Sequence, residues 1–329
     1  MKYEALPVAR PAVLKTMLKS AAKRLPHPLL MRLYHSYYLR GQATLACDLA
    51  RVARLPMLDE LHLNTLRTSD TVFILGSGWS INEIPNERWE IIGRHDTIGF
   101  NFWPVHSFVP GIFVFENLCT GVQRDLYKAF RGLIESRAND YRHTVKIVTE
   151  PYPQSQRQLL HELPEGFCEN LYVGYTASVV ARDERELATG IRYLESLGMF
   201  TPANRIRWLF KYGGSAIAML SLAVRMNYRR IVLCGIDLGR QEYFYQCRQR
   251  YPDTADWEFA SRKDMHLTTR RLPWMVPAQQ VIYQFKRLVL DPAGIGLFVE
   301  NRSSTLYPEV PEASQHLFEQ LAVSPNRID

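Results

Sequence analysis

The chain has 329 residues, 47 % of them hydrophobic and 22 % charged, which is the composition of an ordinary globular protein with room for one large domain or two small ones. Its five cysteines are scattered without a CxxC pair, so we expect a reducing, cytoplasmic setting and no disulfide framework. The sequence shows neither a secretory signal pattern nor a run of 18 or more apolar residues, so it predicts neither export nor a transmembrane helix.

Positive charge is concentrated near the N-terminus. Residues 1–54 carry ten lysines and arginines against two acidic residues, whereas the remainder is close to neutral. A nucleic-acid-binding body would itself be basic, so we expect no nucleic acid partner. Apolar spacing predicts helices over residues 13–25, 29–39 and 43–54. These helices either contact an anionic membrane face or form a cap packed on the body, and the sequence favours neither.

Beyond these helices, apolar runs typical of strands alternate with segments of helical periodicity. The predicted strands cover residues 72–75, 96–102, 112–115, 146–149, 231–235 and 296–299, and the predicted helices cover residues 184–197, 215–226 and 277–290. This alternation predicts a single doubly wound, Rossmann-like α/β domain with a mostly parallel sheet. We place it at residues 69–311, between a basic helical extension (1–68) and a C-terminal tail (312–329).

Two turns of small residues adjoin predicted elements of the fold: the first follows a strand, and the second precedes a helix. Gly76–Ser80 (GSGWS) follows an apolar strand, so its amides can approach an anionic or ribosyl group, although such turns also serve tight strand-to-helix packing. It matches neither the dinucleotide nor the P-loop pattern. Gly214 precedes Ser215, a good N-cap for the next helix. Asp237 ends the strand after that helix, where it either meets a ligand in the crevice of the sheet or pairs structurally.

Polar residues also stand at two other strand ends and in a long connection. Asn101 and Asn117 each end an apolar strand and are either ligand hydrogen-bonders or caps of the following turn. Residues 239–273 are polar, aromatic and aperiodic, which predicts a lid; it contains Tyr243, Tyr245 and His266. A DxD motif and clustered histidines or cysteines are absent from the sequence, so we expect no metal.

Together these features resemble the bacterial sialyltransferases of glycosyltransferase family 42 and the related flagellin-glycosylation and pterin-pyrophosphokinase-like proteins. The resemblance covers about residues 71–311 and rests on the order of short motifs. In chain order these are G-x-G-x-S at 76–80, Asn101, Asn117, Ser215, G-I-D at 235–237, His266 and N-R-S-S-T-L at 301–306. The resemblance implies a GT-A variant of the Rossmann-like sheet, with a lid that closes over a CMP-sugar and without a metal or other cofactor.

The resemblance also implies a role for each matching position. The residues that would bind the nucleotide and the donor sugar are Gly76, Ser77, Gly78, Ser80, Asn101, Asn117, Gly214, Ser215 and Asp237, with Ser215 receiving the sugar carboxylate. The catalytic residues would be His266 as the general base and Tyr245, with its neighbour Tyr243, as hydroxyls that stabilise the departing phosphate. The chain departs from the family pattern at Ser77, Tyr212 and Gly239, where the family has asparagine, arginine and tyrosine.

We therefore expect a metal-independent glycosyltransferase that moves a 2-keto acid sugar (sialic acid, Kdo or another nonulosonate) from a CMP-sugar donor to a saccharide acceptor of a cell-surface glycan. A lipid-linked acceptor and peripheral contact with the inner membrane face suit the basic N-terminus, and we expect a homo-oligomer. Two alternatives stay open. One is a pyrophosphokinase-like transferase that uses ATP and Mg²⁺, and the other is a non-catalytic nucleotide-binding protein of envelope polysaccharide assembly.

Overall fold

The fold is built on one parallel sheet. The structure, a computed structural model, describes residues 26–119, 124–151, 158–239, 242–254, 257, 269 and 275–323. Seven strands pair in the order β5-β4-β3-β2-β1-β8-β9, and every neighbouring pair is parallel. These strands are β1 Thr71–Leu75, β2 Asp96–Phe100, β3 Ile112–Glu116, β4 Val145–Thr149, β5 Leu171–Val173, β8 Arg230–Cys234 and β9 Gly296–Val299. The α/β fold class predicted from the sequence is confirmed.

Two further strands, β6 (Tyr175–Ala177) and β7 (Trp208–Phe210), form a small parallel pair of their own. Helices flank the sheets. They are α1 His27–Ala53, α2 Asn86–Ile92, α3 Arg124–Arg137, α4 Glu165–Cys168, α5 Glu184–Ser196, α6 Ser215–Arg225, α7 Ala278–Phe285 and α8 Gln315–Val323. A π-helical turn, Lys286–Leu290, continues α7.

The sheet separates two hydrophobic cores because side chains alternate along each strand. All five residues of β1 are buried, with Val72 and Ile74 in one core and Phe73 and Leu75 in the other. Helix α6 is buried from Ile217 to Val224 and packs in the first of these cores. A strand that is covered on both faces is predominantly apolar, which explains the short continuous apolar runs of the sequence.

The strand order reverses its direction between β1 and β8. From β1 the chain adds β2, β3, β4 and β5 successively on one side, whereas β8 and β9 lie on the other side. Leu75 is the register partner of Cys234, so the carboxyl ends of β1 and β8 lie level with each other. Such a reversal opens a crevice at the carboxyl ends of the strands, and this is where open α/β sheets bind ligands.

The N-terminal helices differ from the sequence prediction. Residues 29–39 and 43–53 belong to one continuous helix, α1, because Gly41 weakens a helix by only about 1 kcal/mol and no proline interrupts this stretch. The buried side of α1 packs on the body through Met31, His35, Ala46, Leu49 and Ala50. The predicted helix over residues 13–25 lies outside the described residues.

Other differences concern boundaries. The predicted strand 96–102 ends at Phe100, because Asn101 adopts a left-handed backbone with φ 55°. The predicted C-terminal tail contains α8, whose Leu317, Phe318 and Leu321 are buried. The ring of Phe318 stacks on that of Phe73, with 6.3 Å between the centroids, so this segment is part of the second core.

Within the described parts of the chain, every helix is too short or too polar to cross a bilayer.

Candidate functional site

A cavity of about 560 Å³ lies at the reversal of the strand order. It is bordered by the carboxyl ends of β1, β2, β3 and β8 and by the N-terminus of α6. The predicted site residues that line it are Ser77, Gly78, Asn101, Gly214, Ser215, Asp237, Tyr243 and Tyr245. Its volume is within the range of pockets that hold small ligands and cofactors.

The glycine turn after β1 is tied to the segment after β8. Gly76 donates its amide to the carbonyl oxygen of Cys234 and Gly78 donates to Gly235, both at 2.8 Å. A Cβ atom at Gly78 would lie 2.5 Å from Oδ2 of Asp237, and one at Gly76 would lie 2.6 Å from the oxygen of Gly235. Both glycines are therefore needed for close approach of the two segments, and their amides are used within the protein rather than presented to a ligand.

Asp237 fixes this arrangement with its carboxylate. Its Oδ2 accepts the backbone amide of Ser80 at 2.9 Å, and its Oδ1 accepts the Ser80 hydroxyl. Asp237 is 4 % exposed and Ser80 is 2 % exposed, so these charge-assisted hydrogen bonds are shielded from water. Asp237 therefore lines the cavity and also pairs with Ser80, which is the structural alternative that the sequence left open. Ser80 itself does not line the cavity.

Three polar side chains form one corner of the cavity, which we call the Ser215 corner: Asn101, Ser215 and Glu116. The amide nitrogen of Asn101 lies 3.3 Å from the Ser215 hydroxyl, which donates to Oε1 of Glu116 at 2.9 Å. Ser215 is the first residue of α6, with Gly214 as N-cap. The expected N-cap role of Ser215 is therefore wrong, because its hydroxyl bonds a carboxylate of β3 instead of a backbone amide of its own helix.

Lys211 connects the Ser215 corner to the next strand end. Its ammonium group lies 2.9 Å from Oε1 of Glu116 and 3.0 Å from Oε1 of Glu150. Burial by itself would lower the pKa of Lys211, but the two carboxylates more than reverse that effect and hold its pKa above the usual value. Glu150 also accepts from Thr176, whose hydroxyl is 3.4 Å from that of Tyr38 on α1.

Three residues other than glycine that have a left-handed backbone lie in the cavity wall or beside it. Asn101, Glu150 and Leu238 have φ values of 55°, 61° and 58°. Asn101 and Leu238 line the cavity, and Glu150 holds Lys211. Glutamate and leucine rarely adopt this conformation, which costs about 1–3 kcal/mol at a residue other than glycine. Such strain is characteristic of functional sites, where the surrounding structure holds residues in place.

Asn117 does not reach the cavity. It is fully buried, with its side-chain nitrogen donating to Gln158 and its oxygen accepting from the amide of Leu160 at 3.2 Å. These partners lie about 40 residues further along the chain, so Asn117 joins the end of β3 to the segment at Gln158 and Leu160, which is neither ligand contact nor the expected cap of the following turn. Its neighbour Glu116 enters the cavity instead, because consecutive residues of a strand point to opposite faces.

The described part of the lid packs over the glycine turn. Phe244 donates its amide to the oxygen of Ser77 at 3.0 Å, and Tyr243 forms a β-bridge with Gly78. The rings of Tyr243 and Tyr245 stack with centroids 5.1 Å apart, and both residues line the cavity. His266, the predicted general base, lies outside the described residues.

Two departures from the family pattern have structural reasons. A Cβ atom at Gly239 would lie 2.4 Å from Cγ2 of Thr305, so a tyrosine does not fit there as the backbone stands. The hydroxyl of Tyr212 donates to the oxygen of Ala181 at 2.7 Å and accepts the amide of Val276, which makes it a packing residue. The cation beside the cavity is Lys211, one position earlier.

Comparisons with known proteins leave the family undecided: no protein-family model matches the sequence, and a search of curated proteins finds no match. Among the described residues there is also no cluster of three or more histidine, cysteine, aspartate or glutamate side chains arranged to hold a metal ion. What the structure contributes is therefore the geometry of the cavity itself.

Proposed function

We propose that this protein is a glycosyltransferase that binds a CMP-activated 2-keto acid sugar in the cavity and transfers the sugar to a saccharide acceptor without a metal ion. The donor class and the independence from metal come from the family resemblance. The position and size of the cavity support a nucleotide-sugar ligand on physical grounds. The tyrosine pair, Tyr243 and Tyr245, supports assistance to a leaving phosphate, because phenol hydroxyls positioned in advance stabilise developing negative charge.

One observation carries the proposal: the cavity lies at the reversal of the strand order and is lined by two separate glycine-containing segments. The turn at Ser77 and Gly78 is fixed by β8, and Gly213 and Gly214 lead into α6 with φ values of 71° and 146°. A Cβ atom at Gly214 would meet no atom within 4 Å, so this segment leaves open space at the helix N-terminus. A nucleotide-sugar bound across the crevice would contact both segments.

The first test is ligand binding by isothermal titration calorimetry. CMP, CDP, UMP, GDP, AMP and ATP are titrated separately, each in EDTA and in Mg²⁺. Selective binding of CMP or CDP in EDTA supports the proposal and leads to transfer assays with CMP-sialic acid and CMP-Kdo. Binding of ATP only in the presence of Mg²⁺ contradicts it and favours the pyrophosphokinase-like alternative.

A matched pair of variants assigns the binding to the cavity. Ala216→Leu adds a helix-compatible side chain at the cavity wall, in the first turn of α6. Ala293→Leu adds the same side chain at an exposed turn after α7. We expect the first variant to weaken CMP binding at least tenfold and the second to leave it unchanged. Equal binding by both variants would place the nucleotide elsewhere.

We also propose that the N-terminal region contacts an anionic membrane face, as a lipid-linked acceptor would require. Helix α1 exposes Leu29, Leu33 and Tyr37, spaced four residues apart on one side. Arg32 and Arg40, both exposed, flank this stripe. The test is co-sedimentation with phosphatidylserine-containing and pure phosphatidylcholine vesicles. Binding to the anionic vesicles that is lost in Leu33→Asp supports membrane contact, and binding unaffected by that change contradicts it.

A further inference from the structure

The direction of the hydrogen bonds at the Ser215 corner is fixed by chemistry. The carboxylate of Glu116 can only accept, so the proton of the Ser215 hydroxyl points to Glu116. The lone pair of that hydroxyl then accepts from the amide nitrogen of Asn101. Once this nitrogen donates to Ser215, the opposite end of the Asn101 amide is a carbonyl oxygen, which is an acceptor. The side chains of the Ser215 corner therefore present acceptors to the cavity.

Charge agrees with this direction. Lys211 is the only lysine or arginine among the described residues that line the cavity, and both Glu116 and Glu150 hold it. The carboxylate of Glu116 also stands beside the first residue of α6, where an incoming anion would otherwise meet the positive end of the helix. A ligand anion at this position would be repelled by a carboxylate of the protein.

We propose that the Ser215 corner binds a pair of neighbouring hydroxyl groups of the ligand, and that Glu116 is the residue that selects them. A diol supplies donors that match the carboxylate of Glu116 and the carbonyl oxygen of Asn101. The diol belongs to the ribose of a nucleotide or to a sugar ring, because both present the same donors. Ser215 is then an orienting residue rather than the receptor of a sugar carboxylate. This inference rests on the proposed nucleotide-sugar function and narrows the part of the ligand that lies at α6.

The test combines one change in the protein with one change in the ligand. CMP and 2′,3′-dideoxy-CMP are titrated by calorimetry into the wild-type protein and into Glu116→Gln, which keeps the size of the side chain but removes its charge. Glu242→Gln, at another carboxylate that lines the cavity, is the control. A hydrogen bond to a charged group discriminates by roughly 10- to 100-fold. We expect the wild type and Glu242→Gln to prefer CMP by that factor and Glu116→Gln to lose most of the preference.

A second arm identifies a diol of the sugar. Methyl glucoside and its 2,3-dideoxy analogue, at millimolar concentration, are compared by saturation-transfer NMR with the same three proteins. Two results together assign the Ser215 corner to the sugar. Methyl glucoside binds only when both its diol and the Glu116 side chain are present, and CMP and dideoxy-CMP bind with equal affinity. The inference is overturned if neither ligand pair depends on Glu116, or if Glu242→Gln has the same effect as Glu116→Gln.

The two proposals fail in different ways. If no nucleotide binds to the wild type, the proposed function is wrong, and the glucoside arm alone decides whether the Ser215 corner binds a diol. In the other case CMP binds and Ala216→Leu blocks this binding, but removing the diol from CMP or from the glucoside changes nothing. Nucleotide binding in the cavity then stands, and the diol inference is wrong.

Discussion

The ion pairs of Lys211 allow a quantitative prediction about the stability of the site. The substitution Lys211→Met removes the ammonium group that lies 2.9 Å from Glu116 and 3.0 Å from Glu150. The three side chains are between 21 % and 34 % exposed, so their environment is intermediate between a surface pair and a buried one. Loss of one partner costs roughly 0.2–1 kcal/mol at the surface and 3–5 kcal/mol when fully buried. We therefore expect the free energy of unfolding to fall by about 2 kcal/mol.

The sign of the pH effect follows from the raised pKa of Lys211. Because the folded protein holds the proton more tightly than the unfolded chain, the contribution is fully present below the ordinary lysine pKa of 10.5 and is lost as the pH rises through the folded-state value. Urea unfolding followed by circular dichroism at pH 7 thus measures the whole effect. Lys286→Met is the control: it removes a pair with Asp291 at 2.9 Å whose carboxylate is 49 % exposed, and it is expected to cost no more than about 1 kcal/mol.

A double substitution tests the cause. Part of the effect of Lys211→Met comes from removing the ammonium group that Glu116 and Glu150 share, so adding Glu150→Gln to that variant should restore about 1 kcal/mol. The same Glu150→Gln change in the wild-type background should be destabilising. If Lys211→Met differs from the wild type by less than about 0.5 kcal/mol, or if the two changes are additive, the ion pairs do not hold the strand ends together.

Three further predictions use the same unfolding measurement. Asn101→Ala should be about 1 kcal/mol less stable than Asn101→Gly, because only glycine accepts the φ of 55° without strain, and equal stability would refute this. Asp237→Ala should be more destabilising than Ser80→Ala, since it leaves both the amide and the hydroxyl of Ser80 buried without that acceptor; the reverse order would contradict the assignment. Burial lowers the pKa of Lys146 to about 8, so the unfolded chain binds more protons above that pH. Between pH 8 and 9 this residue should therefore raise the unfolding free energy by up to roughly 1 kcal/mol, a rise that Lys146→Met should lack.

The sequence was sufficient for the sheet because its strands are buried on both faces and therefore appear as continuous apolar runs. It also placed the glycine turn and Asp237 at the correct strand ends. The sequence did not show which partners the glycine amides and the Asp237 carboxylate would bond to. The amides of Gly76 and Gly78 bond to the segment after β8, and this depends on a contact between parts of the chain about 160 residues apart.

The charged group of Glu116, Lys211 and Glu150 was missed for a related reason. At the end of β3 the sequence analysis selects Asn117 as a ligand contact. Strand alternation, however, places Glu116 and Asn117 on opposite faces of the sheet, so only one of them can face the cavity. The signal that could have found Glu116 is a carboxylate in phase with Ile112 and Val114, which belong to the core that α6 joins. Glu150 carried no comparable signal, because its left-handed backbone follows from tertiary structure.

The position of β1 in the sheet has a consequence for synthesis on the ribosome. One edge of β1 pairs with β2, about 25 residues further along the chain, but its other edge pairs with β8, where Thr71 is the partner of Arg230. At about 5–20 residues per second, translation leaves roughly 8–30 seconds between the emergence of the two strands. During that time the apolar segment Thr71–Leu75 exposes an unpaired edge of the kind that chaperones recognise and that promotes aggregation. Slow translation between residues 75 and 230 would prolong this exposure, so the yield of folded protein should depend on codon choice in that interval.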